Sequence, residues 1–203
     1  MVALPLALAS LLRLGSSDEA EAAVALLAAS SATRGGRRPL PPTPDCGDDD
    51  EPTPAETAGP FFTPNSPRRT SLIEPGLRGT RLVVEGRVVT RGCHPVAGAL
   101  LDFWQADDRG DYDNVGFRLR GHQFADADGR FRLETIEPGV YPGRTRHIHV
   151  RVQAPEGRVL TTQLYFPGEP RNRTDGLFRR DLLLAMADGS SGRFGRFHFV
   201  LDS

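Results

Sequence analysis

The chain contains no lysine; all 25 of its basic residues are arginine, set against 26 acidic ones. The lysine deficit is a compositional bias and carries no mechanism by itself. A net charge of −1 leaves no bulk field to draw in nucleic acid or anionic lipid, so neither is expected as a partner. Cysteine is scarce: Cys46 and Cys93 are the only two, and they match no zinc-binding spacing. A reduced pair in a cytoplasmic protein is the simpler reading. The alternative is export, with a Cys46–Cys93 disulfide tying an N-terminal arm to the domain. Long apolar runs are also missing. Met1–Leu12 is short, Arg13 interrupts it, and no stretch reaches the roughly 18–20 apolar residues of a membrane span. Asp18, Glu19 and Glu21 spoil the same region as a signal peptide.

Glycine and proline, by contrast, are plentiful at 22 and 17 residues, which favours short strands joined by turns over long helices. Residues 1–45 read as an arm and linker: Ser16–Glu19 resembles a capping box opening a helix to about Ala29, and the run after Thr33 is rich in Gly, Arg and Pro. Residues 46–203 read as one domain. Strands are expected over Arg81–Thr90, Ala99–Ala106, Arg130–Ile136, the segment from His147, Gly157–Phe166 and Gly195–Leu201, with a short helix near Leu177–Met186. The expected fold is all-β, an antiparallel β-sandwich.

The richest stretch is Tyr141-Pro-Gly-Arg-Thr-Arg-His-Ile-His149, running on into Val-Arg-Val-Gln. Side chains two apart on a strand share a face, so His147 and His149 can aim both imidazoles into one pocket while Ile148 turns to the core. An H-x-H pair alone is also common in ordinary strands. Two imidazoles near a phenol nevertheless point to a metal that accepts oxygen and nitrogen together.

Pro95–Ala99, Asp102-Phe-Trp-Gln-Ala-Asp107, Gly110-Asp-Tyr-Asp113, Tyr141-Pro-Gly-Arg144, His147-Ile-His149 and Thr162-Gln-Leu-Tyr-Phe166 follow one another in an order that resembles the intradiol ring-cleavage dioxygenases. The resemblance covers about residues 53–201. It implies a sandwich fold and a non-haem Fe(III) held by Tyr112, Tyr141, His147 and His149. It also implies O2-dependent opening of a catechol between its two hydroxylated carbons to a muconate-type diacid. Tyr141 would be the ligand that yields to substrate, Arg144 the charge that stabilises the anionic ring, and Gln163 a hydrogen-bonding pocket residue. Gly59 and Pro60 would line the ring pocket. Trp104 reads as core, and Arg144 could instead pair with Asp107 or Asp113. The short arm leans toward protocatechuate-like or stand-alone members, and a homo-oligomer is possible. Two other readings stay open: a non-catalytic sandwich subunit of a dioxygenase assembly, and a ferrous centre with two histidines and a carboxylate from Asp111 or Asp113.

Overall fold

The structure, a computed structural model, describes residues 51–190 and 192–202. The arm expected over 1–45, with its helix, lies outside the described residues, as does Cys46. Cys93 is disulfide-bonded. None of the described helices is long and apolar enough to cross a membrane.

Among the described residues, eight strands form two four-stranded sheets: β1 (Arg81–Thr90), β2 (Leu100–Trp104), β3 (Arg120–Phe124), β4 (Arg130–Ile136), β5 (His147–Gln153), β6 (Val159–Tyr165), β7 (Ala185–Gly189) and β8 (Gly192–Leu201). One sheet has the order β4-β1-β8-β7 and the other β3-β2-β5-β6. The expected sandwich is therefore present, and among the ladders of the described strands one departs from antiparallel pairing: β1 and β8 run parallel, Leu82 opposite Arg193 through Thr90 opposite Leu201. Chain-adjacent hairpins cannot make that ladder. It joins the first strand to the last and closes the domain.

Alternation explains the packing. In β1, Leu82, Val84 and Val88 point inward; in β5, Ile148, Val150 and Val152 do the same, and all six are at most 1 % exposed. They meet Leu101, Phe103, Leu133, Leu164 and Phe199 between the sheets. Each such side chain stabilises the fold by roughly 1.5–3 kcal/mol on burial. The core uses only one face of the β3-β2-β5-β6 sheet. Its other face carries His147, His149 and Trp104.

The helix expected at Leu177–Met186 does not form. The stretch contains a single short 3-10 turn at Arg180–Leu182 and the start of β7, and another turn lies upstream at Pro170–Arg173. Leu184 N–H donates to the Tyr165 carbonyl, so pairing to β6 wins over helical periodicity. The strand β3 was not expected, because Arg120-Gly-His-Gln-Phe124 has too little apolar alternation to announce it. The Pro/Gly-rich Thr53–Phe62 stretch is irregular, as its composition requires, yet firmly attached. Thr53 N–H bonds to Val200 O and Glu56 N–H to Thr161 O, so it runs from β8 of one sheet to β6 of the other.

Candidate functional site

His147 and His149 leave β5 on the side away from Ile148, and their Nε2 atoms stand 3.1 Å apart. The Thr145 carbonyl takes a hydrogen bond from His147 Nδ1 at 2.6 Å. A carbonyl only accepts, so the proton sits on Nδ1 and the Nε2 lone pair is directed into the pocket. The Tyr112 hydroxyl lies 3.3 Å from that same Nε2. Burial pulls His147 down to about 4, with the Arg144 charge adding to the effect. Burial, then the neighbouring His147 and the charges of Arg144 and Arg120, hold His149 well below the usual imidazole range. Both rings are therefore neutral at pH 7, the form in which imidazole binds a metal.

Two loops bring the phenols. Tyr112 follows Gly110, whose φ of +94° and contact with the Val140 carbonyl leave no room for a side chain. That close approach sets the Tyr112 loop beside the Tyr141 turn. The Tyr112 and Tyr141 rings lie 6.1 Å apart, nearly perpendicular. Phe61 stacks on Tyr112 at 4.4 Å and meets Tyr141 edge-on at 5.3 Å. Tyr141 is half-buried, and among the described residues its hydroxyl has no hydrogen-bond partner. Burial pushes the Tyr112 phenol well above its ordinary value, although Arg144 and Arg120 oppose this. Such a phenol ionises only where a cation replaces the lost water.

The other site residues expected from the sequence converge here as well. Gln163 faces His149 across the β5–β6 ladder. Its Oε1 accepts from Arg144 Nη2 at 2.6 Å, and its Nε2 donates to the Thr57 carbonyl at 2.9 Å. Arg144 does not pair with Asp107 or Asp113; Asp175 receives its Nε at 2.9 Å. Burial would raise the Asp175 carboxyl, but N–H groups of Thr145 and Leu177 and the Arg144 guanidinium outweigh it and hold the carboxyl below the usual range. Gly59, at φ +63°, lies against His149: a side chain there would begin 3.5 Å from the ring Cε1. Pro60 beside it is exposed.

Three contributors escaped the sequence reading. Trp104 is buried, but its partner is the site: its ring stacks on His149 at 4.8 Å and 3°. His149 Nδ1 has no hydrogen-bond partner among the described residues, so stacking, rather than a second hydrogen bond, orients this imidazole. Strand parity put Trp104 opposite Leu101 and Phe103; what was missing was the pairing of β2 with β5 that sets Trp104 across from His149. Arg120 is 1 % exposed. It donates to the Asp113 carbonyl at 2.8 and 3.0 Å and to the Phe61 carbonyl at 2.6 Å, fastening the Tyr112 loop to the ring stacked on it. Asp175 is the third, and nothing in its local sequence marks it out.

The donor set fits a hard trivalent ion. Two donors each about 2.0–2.1 Å from one ion, at near right angles, stand about 3 Å apart, close to the spacing of the two Nε2 atoms. Phenolate oxygens with neutral imidazoles match the charge and hardness of Fe(III). The carboxylate alternative fits poorly. Asp113 spends its oxygens on the N–H groups of Val115, Gly116 and Arg118, and among the described residues no three of His, Cys, Asp and Glu converge.

Comparison with known proteins agrees with this geometry. Residues 57–202 match the family model described as Dioxygenase. The protocatechuate 3,4-dioxygenase beta chain of Burkholderia cepacia is 37% identical over 119 residues, 50% of this chain and 51% of that one. The hydroxyquinol 1,2-dioxygenase of Nocardioides simplex is 31% identical over 168 residues, 71% of this chain and 55% of that one. The chain thus spans about half the length of the curated relatives it matches. Among solved structures, the dioxygenase domain of a dioxygenase–carbohydrate-binding protein fusion from the cellulolytic bacterium Streptomyces sp. SirexAA-E is 59% identical. It has a TM-score of 0.73 and covers 75% of this chain and 99% of that one. An intradiol ring-cleavage dioxygenase from Tetranychus urticae is 26% identical with a TM-score of 0.69, covering 75% and 95%. By sequence, fold and side-chain constellation together, the chain belongs to the intradiol ring-cleavage dioxygenase family.

Proposed function

We propose that the chain is an Fe(III)-dependent dioxygenase that opens a catechol-type ring between its two hydroxylated carbons, adding both atoms of O2 to give a muconate-type diacid. The observation that carries the reading is the convergence of the Tyr112 hydroxyl and the Nε2 atoms of His147 and His149, linked at 3.3 and 3.1 Å. Tyr112, Tyr141, His147 and His149 would hold the metal. Bound there, Fe(III) would supply the electron withdrawal that makes a chelated catecholate ring open to O2.

The protein's own groups account for the remaining tasks. Tyr141, half-buried and without a hydrogen bond among the described residues, is the ring freest to swing aside; held on the metal as a tyrosinate, it would take a substrate proton on its phenolate oxygen as it leaves and become the neutral phenol. Arg144 offers a fixed positive charge to the anionic ring. Gln163 holds that guanidinium while its own amide is anchored on Thr57. Gly59 puts no side chain against His149, and Trp104, stacked on that ring, packs in turn against Phe62. Relatives named for protocatechuate, hydroxyquinol and catechol share a vicinal aromatic diol, and we assign that class to this site. A disulfide-bonded Cys93 further supports a place in an oxidising compartment. N-terminal sequencing of secreted material tests this, and an intact Met1 confined to cytoplasmic extract would contradict it.

Oxygen uptake by the iron-loaded protein with a panel of catechols tests the activity. The expected product is the diacid from cleavage between the hydroxyls. A semialdehyde from cleavage beside them, or no uptake with any catechol, contradicts the proposal.

A further inference from the structure

Arg144 is held from behind at three points. Its Nε donates to Asp175 Oδ2 at 2.9 Å, and its Nη2 donates to Gln163 Oε1 at 2.6 Å and to the Tyr165 hydroxyl at 3.3 Å. Nη1 has no acceptor among the described residues. The clamp is itself anchored. Asp175 Oδ2 also accepts the Thr145 N–H at 2.8 Å, and Oδ1 accepts the Leu177 N–H at 2.9 Å. Tyr165 donates to the Leu177 carbonyl at 2.8 Å, and Asn172 Oδ1 accepts from Thr145 Oγ1 at 2.6 Å. The carboxylate of Asp175 is 3% exposed and the Arg144 side chain 16%. An arginine side chain gives up rotamer freedom when it is fixed. Here that ordering precedes any ligand.

We propose that Asp175, on the loop between β6 and β7, is a positioning residue for ring cleavage: it fixes the Arg144 guanidinium so that Nη1 alone remains to donate to an anion in the site. Among the described residues the Asp175 side chain bonds to Arg144, Thr145 and Leu177 and to none of Tyr112, Tyr141, His147 and His149, and its part in the reaction runs through Arg144. The inference rests on the activity proposed above. The competing account is a purely structural pair that braces the 170–178 loop against the start of β5.

A double-variant cycle separates the two. Asp175→Ala is expected to lower kcat/KM about 10- to 100-fold, mostly in kcat, with iron content and visible colour kept. Asp175→Asn, which retains an oxygen acceptor, recovers part of the loss. In an Arg144→Ala background, Asp175→Ala should change kcat/KM by less than about threefold, because the group it positions is gone. Multiplying effects in the double variant, or an Asp175→Ala protein within about twofold of the parent, overturn the proposal. If the alanine variant does not fold, the asparagine variant carries the cycle. A second readout uses the metal-free protein: a slowly exchanging arginine Nε–H resonance that vanishes in Arg144→Lys should also vanish in Asp175→Ala. Its survival in Asp175→Ala overturns the inference. An iron-loaded parent with no ring cleavage defeats the activity reading instead, and the resonance still decides whether Asp175 holds Arg144.

Discussion

Arg120 carries a positive charge to a position that is 1 % exposed, with no carboxylate bonded to it among the described residues; its partners there are the carbonyls of Asp113 and Phe61. Burial is the main influence lowering its pKa, but an arginine begins so high that it keeps its proton. Replacing it with leucine would strand those two carbonyls, each at about 1–3 kcal/mol. Arg120→Leu is therefore expected to destabilise the domain by roughly 3 kcal/mol, measured by denaturant unfolding, and to loosen Tyr112. A midpoint unchanged within error would show that the clamp is idle. At this scale the sequence told types better than partners. His147, His149, Tyr112 and Tyr141 were visible because their chemistry is unusual and their order is that of a family. Arg120 was hidden, since a buried arginine looks like a surface one until its neighbours are known. The partner of Arg144 was hidden for the same reason: Asp175 lies 31 residues away in the chain.

Between elements, the parallel β1–β8 ladder depends on Gly86. A Cβ at that position would lie 1.6 Å from the Phe197 carbonyl oxygen on β8. Either the strands part or the ladder shifts, and overpacking of this kind costs on the order of 3 kcal/mol. Gly86→Ala should therefore lower the melting temperature sharply. Gly76→Ala, at φ +79° with nothing within 4 Å, should cost only about 1–2 kcal/mol of backbone strain. Equal effects of the two substitutions would place β8 elsewhere. Strands with strong alternation, β1, β4 and β5, were legible within a residue or so, because their inward residues are branched and apolar. The polar β3 and the 3-10 turns after β6 were not. What makes β3 a strand is its ladder to β2, Leu100 opposite Phe124 through Trp104 opposite Arg120, a long-range fact that periodicity does not contain.

For the whole molecule, buried neutral histidines tie stability to pH. Unfolded histidine titrates near 6.5, whereas His147 is held at about 4 and His149 and His198 are also lowered, burial being the main cause in each. A depressed folded pKa means that the unfolded chain takes up protons first as pH falls. The contribution is fully present above pH 6.5 and is lost progressively from there down to about pH 4, by about 3 kcal/mol for His147 alone. Thermal unfolding of the metal-free protein should show the melting temperature falling steeply over that window. A flat profile would mean the rings are not held neutral by burial.

The central claim is that two phenols and two imidazoles share one ferric ion, and the visible absorption spectrum tests it most directly. Stoichiometric Fe(III) added to the metal-free protein should produce a broad tyrosinate-to-iron charge-transfer band and a burgundy colour. Tyr112→Phe should strip most of that band together with catechol-dependent oxygen uptake. A protein that binds iron yet stays colourless, or a Tyr112→Phe variant with colour and activity intact, would contradict the account.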